Sequence, residues 1–140
     1  MVIRFPFAAA GIFLFGLAAS SPAQGVLHQW FGDARYDGLG RAVSDAGDVN
    51  GDGYADVLVG APLEDGNGTD AGLVRLYNGQ TGSILREWSG WAGLDEFGSA
   101  VSSAGDVNRD GTPDILIGAY RADFGGGGSG RAIVVSGANW

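Results

Sequence analysis

The sequence predicts an all-β chain built from a repeated antiparallel sheet, and three observations carry that prediction. A long segment recurs in register 58 residues further on, as from Asp48 to Asp106. The apolar runs after the amino-terminal region are short, rich in β-branched residues and bounded by Gly, Asn or Asp, which is strand patterning. An acidic loop of fixed spacing separates the first two runs of each unit.

The amino-terminal residues stand apart. Arg4 supplies one positive charge, residues 5–19 are almost wholly apolar, and Ser21 and Ala23 are the small residues a signal peptidase inspects. Residues 1–23 therefore read as a signal peptide, with an uncleaved anchor as the competing reading. The apolar run is about 15 residues, short of the roughly 20 that a membrane-spanning helix needs. No transmembrane segment is expected after cleavage, and residues 24–140 form the mature region.

Within that region the repeat pairs Trp30 with Trp88, Asp37 with Asp95, Gly60-Ala61 with Gly118-Ala119, Gly72 with Gly130 and Gly79 with Gly137. A fixed period of this order marks an array of supersecondary units. Repeat one covers about 30–88 and repeat two about 89–140. Strands are expected at 42–46, 55–61, 73–77 and 84–88. The second unit shows three, the last at 133–135, and is incomplete. Four short strands with tight turns make one antiparallel sheet, and such sheets repeated around an axis are propeller blades. The expected fold is about two four-stranded blades of a partial β-propeller.

Between the first two strands lies Asp48-Val49-Asn50-Gly51-Asp52-Gly53-Tyr54-Ala55-Asp56, and again Asp106-Val107-Asn108-Arg109-Asp110-Gly111-Thr112-Pro113-Asp114. Calcium takes six to eight oxygens, and oxygen ligands at alternate loop positions converge on one point. The expected ligands are the side chains of Asp48, Asn50, Asp52 and Asp56 and the carbonyl of Tyr54. In the second loop they are Asp106, Asn108, Asp110, Asp114 and the carbonyl of Thr112. Three crowded carboxylates repel one another without a counter-charge. An EF-hand would close with an acid at position twelve and enter a helix, but Val59 and Ile117 stand there, inside strands. A metal-free turn built from Asp, Asn and Gly is the competing reading. Repetition of the spacing favours two calcium sites.

Composition narrows the partners. The chain has no cysteine, so disulfides cannot stiffen it, and metal is the alternative staple. Its formal net charge is −8, and all its basic residues are arginine. That balance argues against nucleic acid and acidic membranes and for cations.

These residues resemble the FG-GAP repeat, the blade unit of the integrin alpha-chain propeller and of many bacterial exported proteins. Phe97-Gly98 matches the first half of the name and Gly60-Ala61-Pro62 the second, with the acidic loop between. The resemblance implies a propeller and the same two ligand sets. Leu39 stands where Phe is expected and Tyr120 replaces the tripeptide's Pro. Family propellers close with about seven blades. The chain is therefore expected to be a truncated reading of a longer array or a piece that completes itself by assembly, the first favoured because the break falls inside a blade.

Other constellations point away from catalysis. His28 is the lone histidine and no triad pattern accompanies it. The glycine run at 125–128 has neither the lysine nor the helix of a phosphate loop. Trp30, Trp88 and Trp91, at or near repeat register, fit an inter-blade core better than a sugar platform. The expected function is an exported, calcium-binding, adhesion-like interaction module without catalytic activity, placed in the medium, at the cell surface or in the periplasm. Loops 64–70 and 123–130 would face an unknown protein or glycan. The alternative is the propeller portion of a longer exported hydrolase or lyase.

Overall fold

A computed structural model describes residues 25–123 and 126–138. The signal peptide expected at 1–23 lies outside the described residues. The architecture is all-β. Strands β1 (Ala42–Gly47), β2 (Asp56–Ala61), β3 (Leu73–Tyr77) and β4 (Ile84–Ser89) form one sheet in sequence order. Strands β5 (Phe97–Gly105), β6 (Asp114–Ala119) and β7 (Arg131–Val135) form the second. All strand pairs within the sheets are antiparallel.

Register decides which residues meet the neighbouring sheet. Leu58 lies opposite Leu76, and Gly60 opposite Ala42 and Val74. The two-residue period of a strand therefore places Leu58, Gly60, Val74 and Leu76 on one face of the first sheet. In the second sheet Ile115 lies opposite Val135, and Ile117 opposite Val101 and Ile133. Leu58, Val74, Leu76, Ile115 and Ile117 are all fully buried in one core cluster, joined by Phe97 and Ala119 and flanked by Leu85 and Trp88. Each such side chain stabilises by roughly 1.5–3 kcal/mol on burial. Like faces do not meet: the Leu58 face of the first sheet packs on the Ile117 face of the second, as stacked blades do.

Two close backbone contacts fix that stacking. A β-carbon on Gly60 would stand 2.1 Å from the Gly98 carbonyl oxygen, so only glycine lets β5 approach β2. Gly98 has a φ of 83°, a left-handed conformation that glycine adopts freely. The Phe97 amide donates to the Ala71 carbonyl at 3.0 Å, stitching the start of β5 to the entrance of β3.

Residues 28–33 lie across part of the far face of the first sheet. Trp30 stacks on Tyr77 with ring centroids 4.2 Å apart and donates its Nε1 hydrogen to the Gly82 carbonyl at 2.8 Å. Arg75, buried in mid-strand, pairs with Asp33 and with Glu87. The tryptophans part company here. Trp88 packs against the inter-blade core, whereas Trp91 is half exposed, with the Arg131 guanidinium 3.9 Å from its ring centroid.

Candidate metal centre

The β1–β2 and β5–β6 connections hold the two acidic loops, each entered through a bulge, at Gly47 and at Gly105. Both loops wind around their own first aspartate. Asp48 Oδ1 accepts from the amides of Gly51 and Asp52, at 2.8 and 3.0 Å, and Oδ2 accepts from Gly53 at 2.8 Å. Asp106 does the same with Asp110 and Gly111, at 3.0 and 2.9 Å. Asn50 Oδ1 accepts from the Asp52 amide and Asn108 Oδ1 from the Asp110 amide, at 3.0 and 2.9 Å. Asp52 Oδ1 takes the Tyr54 amide and Asp110 Oδ1 the Thr112 amide, both at 2.9 Å.

Asp56 and Asp114 close the loops from beneath. Asp56 is wholly buried. It accepts from the Val49 amide at 3.0 Å and the Gly79 amide at 3.1 Å, so it ties the acidic loop to the β3–β4 turn. Asp114 makes the equivalent bonds to the amides of Val107 and Gly137, at 2.8 and 3.2 Å. Burial pushes the Asp56 carboxyl above the ordinary carboxylate range, against the pull of the Gly79 and Val49 amides. Asp52 moves the other way, held low by the Asn50 side chain and then by the Tyr54 amide. Asp110 is held low by the Thr112 amide and then by Asn108.

Two further side chains reach the loops. Asn78 Nδ2 donates to Asp52 Oδ2 at 2.5 Å, and its counterpart Ser136 donates its hydroxyl to Asp110 Oδ2 at 3.3 Å. Neither belongs to the loop motif. Their shared offset of 58 residues, one place before the paired glycines Gly79 and Gly137, is the sequence signal that marks them.

The donor chemistry suits a hard divalent cation. A carboxylate offers about four lone pairs and a carboxamide oxygen two. Asp48 Oδ2, Asn50 Oδ1, Asp52 Oδ1 and Asp56 Oδ1 each accept one backbone amide, which leaves each a lone pair; the second loop repeats this with Asp106, Asn108, Asp110 and Asp114. Among the described residues no three His, Cys, Asp or Glu side chains converge as they stand on one point fit to hold a metal ion. The loops are frames whose carboxylates hold backbone amides.

The opposite ends of the strands carry the other loops. Residues 64–70 and 120–123 flank the inter-blade linker, where the Leu94 amide donates to the Thr69 carbonyl at 2.7 Å. A cavity of about 450 Å³ opens there, lined by Leu94, Asp95, Tyr120, Arg121 and Asp123 among others. His28 is structural: its Nε2 sits 2.9 Å from the Gly79 carbonyl and its ring stacks on Trp30. Among the described residues no helix is long and apolar enough to cross a membrane.

Stacked antiparallel sheets with an acidic loop between the first two strands define a class, the blades of a β-propeller. The FG-GAP repeat family model matches residues 41–77 and 97–135, together more than half of the chain, and the chain belongs to that family. Among curated proteins it is similar to integrin alpha-E of Mus musculus, 40% identical over 90 residues that cover 57% of this chain and 8% of the relative. Integrin alpha-2 of Mus musculus is 38% identical over 97 residues, 63% of this chain and 8% of the relative. Integrin alpha-V of Gallus gallus is 36% identical over 93 residues, 61% of this chain and 9% of the relative. The chain thus spans less than a tenth of the length of these relatives.

Proposed function

We propose that this chain is an exported, non-catalytic, adhesion-like propeller module whose blades are stapled by calcium. One observation carries the reading: two loops 58 residues apart share one hydrogen-bond frame, and each leaves four side-chain oxygens with a lone pair to spare. Calcium supplies the positive charge that an all-oxygen acidic site lacks. Asp48, Asn50, Asp52, Asp56 and the Tyr54 carbonyl would hold one ion, and Asp106, Asn108, Asp110, Asp114 and the Thr112 carbonyl the other. The leader-like residues 1–23 and the lack of cysteine agree with an exported protein stiffened by metal.

Asp56 and Asp114 join each loop to the turn beyond its third strand, so fixing the loop fixes the blade. The loops at the other strand ends, 64–70 and 123–130, would then face a protein or glycan partner. Calorimetric titration of the full chain with calcium, with circular dichroism before and after chelation, tests the reading. About two ions per chain and a gain of β structure are expected. No heat of binding and no spectral change on chelation would contradict it.

A further inference from the structure

The two acidic loops share a frame but differ in what stands behind it. The fifth-position aspartates, Asp52 and Asp110, are each met by a side chain from beyond the unit's third strand: Asn78 in the first unit and Ser136 in the second. Their other polar partners correspond. Asp52 Oδ1 and Asp110 Oδ1 each take one backbone amide at 2.9 Å, and the Oδ2 atoms take Asn50 and Asn108 at 2.9 and 2.7 Å. The contrast between the loops at this position is therefore carried by residues 78 and 136.

Asn78 is held so that it can only donate to the first loop. It is 6% exposed, and its Oδ1 accepts from the Thr81 amide at 2.7 Å and the Thr81 hydroxyl at 3.1 Å. Those donors need an oxygen opposite them, so the carboxamide is fixed with its NH2 group toward Asp52. The turn around it is closed by the Asn78 amide on the Ser83 carbonyl and the Gly82 amide on the Asn78 carbonyl, both at 2.8 Å. His28 on the Gly79 carbonyl and Trp30 on the Gly82 carbonyl brace the turn from outside. Asp52 Oδ2 thus holds two N–H donors, and Oδ1 keeps the spare lone pair. The carboxylate is aimed before any ion arrives.

Ser136 does not aim Asp110 in this way. Its hydroxyl reaches Oδ2 at 3.3 Å, beyond the usual O–H···O range, and the same oxygen lies 3.2 Å from the Ala138 amide and 3.4 Å from Asn108 Nδ2. A rotatable hydroxyl shared among several partners is a weak restraint. Arg109 also adds a positive charge to the second loop where the first has Gly51, a solvent-screened effect of roughly twofold in cation affinity.

We propose that Asn78 is a positioning residue that makes the first loop the tighter of two calcium sites, with Ser136 leaving the second the weaker. The inference rests on the calcium reading above and adds to it an order of filling. Outer partners that orient a metal ligand commonly contribute ten- to a hundredfold in affinity, and the lower end applies here because Asn50 also holds Asp52 Oδ2. The sheet of β1–β4 is then fixed at a lower calcium concentration than the sheet of β5–β7.

Calorimetric titration of the full chain with calcium tests this with each loop observed by itself: Asp110→Asn leaves the first loop in view and Asp52→Asn the second. The first loop is expected to bind at least tenfold more tightly. Asn78→Ser should weaken the first loop about tenfold and leave the second within twofold. Ser136→Asn should tighten the second loop at least threefold, with circular dichroism in chelator unchanged. That gain separates positioning from general support, because a residue that merely holds its own turn together confers no affinity when transplanted. Two ions of equal affinity, an Asn78→Ser effect below twofold or shared equally by both loops, or no gain from Ser136→Asn would overturn the proposal and leave the calcium reading standing. A chain that binds no calcium at all would overturn both.

Discussion

The Gly98 carbonyl oxygen fills the space that a β-carbon on Gly60 would need, so the second residue of one repeat's opening dipeptide locks into the closing tripeptide of the repeat before it. The two halves of the motif are two sides of one contact. Gly60→Ala forces β5 away from the Leu58–Val74 face. It is expected to cost about 3 kcal/mol, at the upper end of ordinary overpacking. Gly118→Ala, whose β-carbon would meet only Ala100 in ordinary contact at 3.4 Å, should change stability by less than about 0.5 kcal/mol. Urea unfolding of the two variants at low protein concentration checks the contrast.

Asp56→Ala strips the acceptor from the buried Val49 and Gly79 amides. Each buried donor left without a partner costs about 1–3 kcal/mol, so a loss of about 3 kcal/mol is expected. It should appear in chelator as well as in calcium, because those amides need an acceptor whether or not an ion is present. Denaturant titration in both buffers measures it.

Asp52→Asn keeps an oxygen for the Tyr54 amide and removes one carboxylate from the first loop. The expected outcome is at least tenfold weaker calcium binding at one of two sites, with a loss of about 1 kcal/mol in chelator because the new amide group faces the Asn78 and Asn50 donors. Asp110→Asn should do the same for the second loop, and the double variant should bind neither ion. Calorimetric stoichiometry follows the series from two to one to none.

Arg109 occupies a left-handed position, at a φ of 64°, where the first loop has Gly51 at 76°. A side chain there is strained by roughly 1–2 kcal/mol, partly offset by the freedom glycine gains in the unfolded chain. Arg109→Gly should therefore stabilise the chain by about 0.5–1 kcal/mol, read as a higher urea midpoint.

Much of this architecture was legible in the sequence because it repeats. Strand β3 falls on the expected 73–77, and β2 and β4 differ from expectation by one residue at one end. Strand pairing follows from short alternating runs between turn residues, and the 58-residue offset locates the second sheet. What periodicity cannot supply is how the two units touch. The Gly60–Gly98 approach depends on a left-handed Gly98 and on the stagger of the sheets, neither of which a hydropathy pattern contains. The repeat likewise hides asymmetry: Leu58 and Leu116 are the same residue in the same register, and only the stacking buries one and exposes the other. At the loops the motif named the aspartates. The roles of Asn78 and Ser136 emerge only when the β3–β4 turn and the chain after β7 are folded back beside them. Trp30 and Trp91 were expected in the inter-blade core with Trp88, but Trp30 stacks on Tyr77 at the far face of the first sheet, and Trp91 stands half exposed between Phe97 and Arg131.

The most direct test of the calcium staple is equilibrium urea unfolding of the full chain in chelator and in about 10 mM calcium. An ion that binds only the folded state stabilises by RT ln(1 + [L]/Kd). Sites with Kd near 10⁻⁴ to 10⁻³ M then contribute about 1.4–2.7 kcal/mol each. Two sites predict a stabilisation of about 3–5 kcal/mol and a midpoint that rises with calcium concentration. Identical midpoints in calcium and in chelator would contradict the staple and leave the acidic loops as metal-free turns.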